Sequence, residues 1–119
     1  MRLRNIPGAD EAIAQSPYCI QDAAAYAGKW HTLFPQEAPL HIEIGMGKGQ
    51  FIMGMAKAHG DINYIGIEKY TSVLLRAVQK MEAEETPLDT LRFLCFNAED
   101  IAEIFAPGEV DRIYLIFSD

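Results

Sequence analysis

The chain has 119 residues, half of them hydrophobic, with 17 acidic against 10 basic side chains and a formal charge of −7. That length supports one domain around one core and is short for a complete doubly wound sheet. No apolar run nears the roughly 20 residues of a membrane span, and Arg2 and Arg4 precede no apolar segment, so the opening does not read as a signal peptide.

Residues 1–39 carry the weaker signals. Pro7-Gly8 is a turn, Ala9–Gln15 is a short helix with Asp10 and Glu11 in its first turn, and Ser16-Pro17 breaks it. Asp22–Gly28 is alanine-rich and helix-prone, with Gly28 as its stop. Trp30, Leu33 and Phe34 cluster before Pro35 and Pro39. They are expected to anchor an N-terminal flap, residues 1–39, onto the main sheet, in preference to an RNA-stacking role for Trp30 and His31.

From Leu40 the pattern is regular. Leu40–Ile44 reads as a strand, 50–59 as a helix closed by Gly60, and Asn63–Glu68 as a second strand. Val73, Leu74, Ala77, Val78 and Met81 recur at helical spacing from Thr71 to about Glu84, and Thr86-Pro87 ends that helix. A third strand is expected over 91–96, a short helix over 99–105 stopped by Pro107-Gly108, and a fourth, buried strand over 112–117. The order β-α-β-α-β-α-β with short connections predicts an α/β fold, a parallel, doubly wound sheet. Residues 40–119 would be its first half. A buried parallel strand that ends at Ser118-Asp119 would leave an open edge and uncovered apolar surface. The expectation is therefore the N-terminal part of a longer protein.

Cys19 and Cys95 lie far apart, with no C-x-x-C or Cys/His ligand spacing. A reducing cytoplasm fits, no metal site is expected, and Cys95, in an apolar run, is expected to be a buried thiol. His31, His41 and His59 are read as structural or surface residues.

Chemistry concentrates in 40–51. A short apolar run passes through Gly45, Gly47 and Gly49 and leaves as a helix, the layout that lets a backbone approach a nucleotide-like ligand. The spacing is not the G-x-G-x-x-G of dinucleotide sites. Glu43, two residues before the first glycine, would repel a pyrophosphate. It would attract the ammonium and sulfonium of S-adenosylmethionine, whose carboxylate suits the N-terminus of the following helix. In such a sheet ligands bind beyond the carboxyl ends of the strands. The second strand ends in Glu68, 25 residues after Glu43, placed to accept from two ribose hydroxyls. The third is followed by Asn97 and Ala98, an amide and a backbone N–H able to read an adenine edge, and the fourth by Asp119. Each also has a bland role as a helix cap or turn residue.

The motifs at 41–49 (HIEIGMGKG), 66–70 (GIEKY), 96–100 (FNAED) and 116–119 (IFSD) together resemble the bacterial tRNA (guanine-N(7)-)-methyltransferase family, and the opening MRLRN is similar to its basic start. The resemblance covers nearly the whole chain, although the first motif alone is shared by many methyltransferases. It implies a Rossmann-like class I methyltransferase domain in which Glu43, Gly45, Glu68, Asn97, Ala98 and Asp119 bind S-adenosylmethionine, with Asp119 also the active-site aspartate. It implies a tRNA substrate, methylated in the variable loop. The family's Asp-Pro-Trp continuation and basic run are absent here, and that run would supply the positive charge this acidic chain lacks. The chain alone is expected to be inactive on tRNA. A monomer and a homodimer stay open, as do a class I methyltransferase with another substrate and a non-catalytic nucleotide-binding domain. A dehydrogenase is disfavoured by Glu43 and the glycine spacing.

Overall fold

The computed structural model describes residues 7–116. Four parallel strands, β1 (Leu40–Ile44), β2 (Asn63–Glu68), β3 (Leu91–Cys95) and β4 (Arg112–Tyr114), lie in the order β3-β2-β1-β4. The chain thus winds outward from β1 to one side, then returns to β1's other flank. That reversal puts the topological switch point between β1 and β4, where a doubly wound sheet opens a crevice. β1 and β2 have the length and boundaries read from their apolar runs. All six residues of β2 are buried, as a central parallel strand requires.

The helices are α1 (Ala9–Gln15), α2 (Gln50–Ala58) and α3 (Thr71–Glu82). α2 buries Ile52, Met53 and Ala56, and α3 buries Leu74, Leu75, Ala77, Val78 and Met81, a single stripe on each. These stripes join Tyr64, Leu91 and Phe93 in one core cluster, with α1 packed on α3. The opposite sheet face, with Ile42, Ile65, Ile67 and Leu94, packs on Trp30, Phe34 and Ile104. Among the described residues no helix is long and apolar enough to cross a membrane.

That second face is covered by 3-10 turns rather than by the α-helices expected over 22–28 and 99–105. They span Ala23–Tyr26, Trp30–Leu33 and Ala98–Glu103, the last kinked at Asp100. Tertiary anchoring overrides helix propensity here. Fully buried Trp30 donates its indole N–H to the Ile104 carbonyl at 2.6 Å, and the Glu109 carboxylate accepts from the backbone N–H groups of Gly28, Trp30 and Ala106. Trp30 is therefore a core anchor. Residues 18–20 run along the outer edge of β3, with Phe93 N–H donating to Tyr18 O at 2.7 Å and Ile20 N–H to Phe93 O at 3.0 Å.

Two expectations are corrected. β4 ends at Tyr114 and is not buried: Ile113, Leu115 and Ile116 are 53%, 56% and 43% exposed. Among the described residues it is hydrogen-bonded on one side only, and its ladder with β1 stops opposite Glu43. Cys95 is exposed, whereas Cys19 is buried. Cys95 closes an outer strand, and on its face of the sheet the helical cover that buries Leu91 and Phe93 does not reach it.

Candidate functional site

β1 ends at Ile44, and the chain crosses to α2 through Gly45, Gly47 and Gly49, with φ of +74°, +59° and +83°. Those three left-handed positions are open to glycine and strained for any other residue. The turn is tied back to β2. Gly45 and Met46 both donate their N–H to Ile67 O, at 2.9 and 3.0 Å. Gly47 N–H donates to Glu68 Oε1 at 3.1 Å, and Tyr70 N–H donates to Glu68 Oε2 at 3.1 Å. Glu68 is buried, and each of its oxygens keeps a lone pair beyond the one its amide partner uses. The second strand's carboxylate thus shapes the turn at the end of the first, a link that strand patterning does not reveal.

Glu43 is 2% exposed, and its Oε1 has no hydrogen-bond partner among the described residues. Burial alone pushes its carboxyl up to about 7. A buried, unpartnered carboxylate costs stability and calls for an explanation. It lines a cleft of about 870 Å³ with Gly45, Met46, Gly47, Phe51 and Ile116. α2 starts at Gln50, which lines the same cleft, and its N-cap, Gly49, has no side chain to cap the first N–H groups. One wall presents a carboxylate with no ion pair among the described residues, although Lys48 also lines the cleft, and the other a helix N-terminus favourable to an anion. The pair suits a zwitterion.

Of the residues singled out from sequence, Glu43, Gly45 and, through Gly47, Glu68 come together. Asn97 is exposed and caps the following 3-10 turn, its Oδ1 accepting from Glu99 N–H at 3.1 Å. Among the described residues its amide N–H₂ has no acceptor. Phe96 N–H donates to Glu68 O at 3.2 Å, which keeps Asn97 and Ala98 beside the end of β2. Asp119 lies outside the described residues. His41 is a structural residue, wedged between the rings of Tyr64 and Tyr114 with its Nδ1 at 3.3 Å from Tyr114 Oη.

Sequence reasoning passed over Met46 and Gly66. Met46 is 5% exposed although it sits in the turn, and a Cβ on Gly66 would overlap its sulfur. The available signal was a glycine inside an apolar strand, a mark of close approach.

The family model described as "Putative methyltransferase" matches residues 37–119. A tRNA (guanine-N(7)-)-methyltransferase of Lachnoclostridium phytofermentans is 61% identical across the whole chain, which covers 55% of that relative. The protein of the same name from Bacillus subtilis is 48% identical, again with 55% of its length covered. The chain therefore spans about half the length of the curated relatives it matches. Among solved structures, an antibiotic-related methyltransferase superposes with a TM-score of 0.65 at 23% identity, covering 77% of this chain and 47% of that one. The Haemonchus contortus phosphoethanolamine N-methyltransferase 2 gives 0.53 at 19% identity, over 89% of this chain and 25% of the other. These structures share the fold.

Proposed function

The chain belongs to this methyltransferase family, and on that premise we propose that it is the cofactor-binding part of an S-adenosylmethionine-dependent enzyme that methylates guanine N(7) in tRNA. The observation that carries the cofactor is the buried, unpartnered Glu43 carboxylate facing a cleft beside a helix N-terminus. The substrate rests on relatives that carry that activity in their names and match the whole chain. Residues 40–119 form the first half of the catalytic domain and residues 1–39 its N-terminal flap, working in the cytoplasm, where its tRNA substrate is found.

The residues present fit the cofactor. Glu43 holds its ammonium, and the start of α2 faces its carboxylate. The remaining lone pairs of Glu68 accept from the ribose hydroxyls, and the Asn97 amide with the Ala98 N–H reads the adenine edge. S-adenosylmethionine supplies, when bound, a methyl group made electrophilic by its sulfonium. Guanine N(7) carries an in-plane lone pair and loses no proton before it attacks, so the chain's work is orientation and electrostatics. Asp119 sets the base in line and offsets the positive charge that methylation leaves on the purine. His41, packed between two tyrosines, agrees with chemistry that needs no strong base.

The test is calorimetric titration of the full-length protein with S-adenosylmethionine, then methyl transfer to unmodified tRNA. Binding with transfer to guanine N(7), and a lower kcat in Asp119→Ala, is the expected result. Binding without transfer would discard the tRNA substrate, and no binding would discard the cofactor.

A further inference from the structure

We propose that Met46, seated on the bare Cα of Gly66, is a positioning residue that locks the glycine turn into its ligand-receiving shape; this rests on the reading that the turn receives S-adenosylmethionine. Met46 is flanked by exposed Gly45 and half-buried Gly47, yet is itself 5% exposed. Its side chain turns back over β2 into the core that holds Ile52, Met53, Ala77 and Phe93. Two glycines from different elements make room for it. A Cβ on Gly66 would overlap the Met46 sulfur and lie 3.3 Å from Phe93 Cδ1, while a Cβ on Gly49 would lie 3.2 Å from Met46 Cε and 3.1 Å from Ala77 Cβ. Met46 N–H is also bonded to Ile67 O, and the next residue, Gly47, is bonded to the Glu68 carboxylate. Displacing this one side chain therefore shifts the turn and the carboxylate together. A flexible thioether fits the irregular gap between a strand, a turn and a helix start.

The experiment compares Gly66→Ala, Met46→Ala and their double variant in the full-length protein, by calorimetric titration with S-adenosylmethionine and by amide hydrogen exchange. Gly66→Ala is expected to weaken binding by about tenfold or more, since overpacking drives Met46 out of its seat. The double variant binds about as Met46→Ala does, because Gly66→Ala acts through a seat that is already empty once the thioether is gone. In Gly66→Ala the Met46 and Gly47 amides exchange faster while those of α3 keep their wild-type rates. Met46→Ala, which introduces no overlap, weakens binding and speeds Gly47 exchange, and it carries the test should Gly66→Ala not fold. Wild-type affinity in the single variants, losses that simply add in the double variant, or faster exchange spread evenly over the protein would each overturn the lock. Failure of the wild type to bind S-adenosylmethionine would instead remove the cofactor reading, and the exchange pattern alone would then decide whether Met46 holds the turn.

Discussion

Glu43→Gln tests the site where it is most exposed to refutation, because it is expected to raise stability and lower affinity at once. The folded carboxyl titrates near 7, above its ordinary 4.5, through burial. The folded state therefore keeps a proton that the unfolded chain releases. Stability from this group is fully present below about pH 4.5 and is lost as pH rises through 7, a loss of at most about 3 kcal/mol. Water entering the open cleft reduces this, so Glu43→Gln should be more stable at pH 8 by about 1–2 kcal/mol. Binding a cationic ligand has the opposite pH dependence. The ionised fraction of Glu43 falls from about one half at pH 7 to about one tenth at pH 6, so affinity for S-adenosylmethionine should fall about fivefold, or ~1 kcal/mol. The assay is calorimetric titration at the two pH values in buffers of different ionisation enthalpy, which also counts protons released on binding. In Glu43→Gln the affinity is weaker and its slope between pH 6 and 7 disappears. A flat wild-type profile, or the same slope in the variant, would show that Glu43 does not face the ligand's cation.

Glu68→Ala removes the acceptor of the Gly47 and Tyr70 amides as well as the proposed ribose partner, so it should cost about 1–3 kcal/mol of stability and a similar amount of cofactor affinity; urea melts and titration report the two, and no change in either refutes the assignment. Trp30→Ala empties a fully buried site and orphans the Ile104 carbonyl. A loss of about 3–5 kcal/mol is expected in urea unfolding, and a surface-like loss of under about 1 kcal/mol would contradict the packing. A thiol reagent at pH 8 should modify exposed Cys95 in the native protein and reach Cys19, whose thiol burial pushes up to about 11, only in denaturant. Equal native rates at both sites would be inconsistent with the structure.

The sheet was legible because short, largely apolar runs alternate with segments of helical period over short connections, an order that argues for a parallel sheet. Glu43 was legible by position, two residues before a glycine turn, but that its Oε1 has no partner among the described residues was not, since that depends on what β2 and β4 present beside it. The helices read over 22–28 and 99–105 form as 3-10 rather than α for the same reason. Local alanine content argues for helix, while Trp30 and Glu109 impose contacts 74 and 81 residues apart in sequence. Cys95 shows the limit of composition: an apolar neighbourhood in sequence is not cover in space when the strand is an outer one. Met46 showed nothing in its own periodicity, because the glycine that accommodates it lies on another strand.

The Glu109 clasp also dictates an order of assembly. Gly28 and Trp30 leave the ribosome early, yet their acceptors, Glu109 and the Ile104 carbonyl, are made after the whole βαβαβ core. Until then Trp30 has no seat, and the sheet face it will cover stays greasy and open. The Gly28–Trp30 segment, made early, is thus fastened only after the βαβαβ core, a long-range closure of the kind that slows folding and leaves nascent chains prone to aggregate.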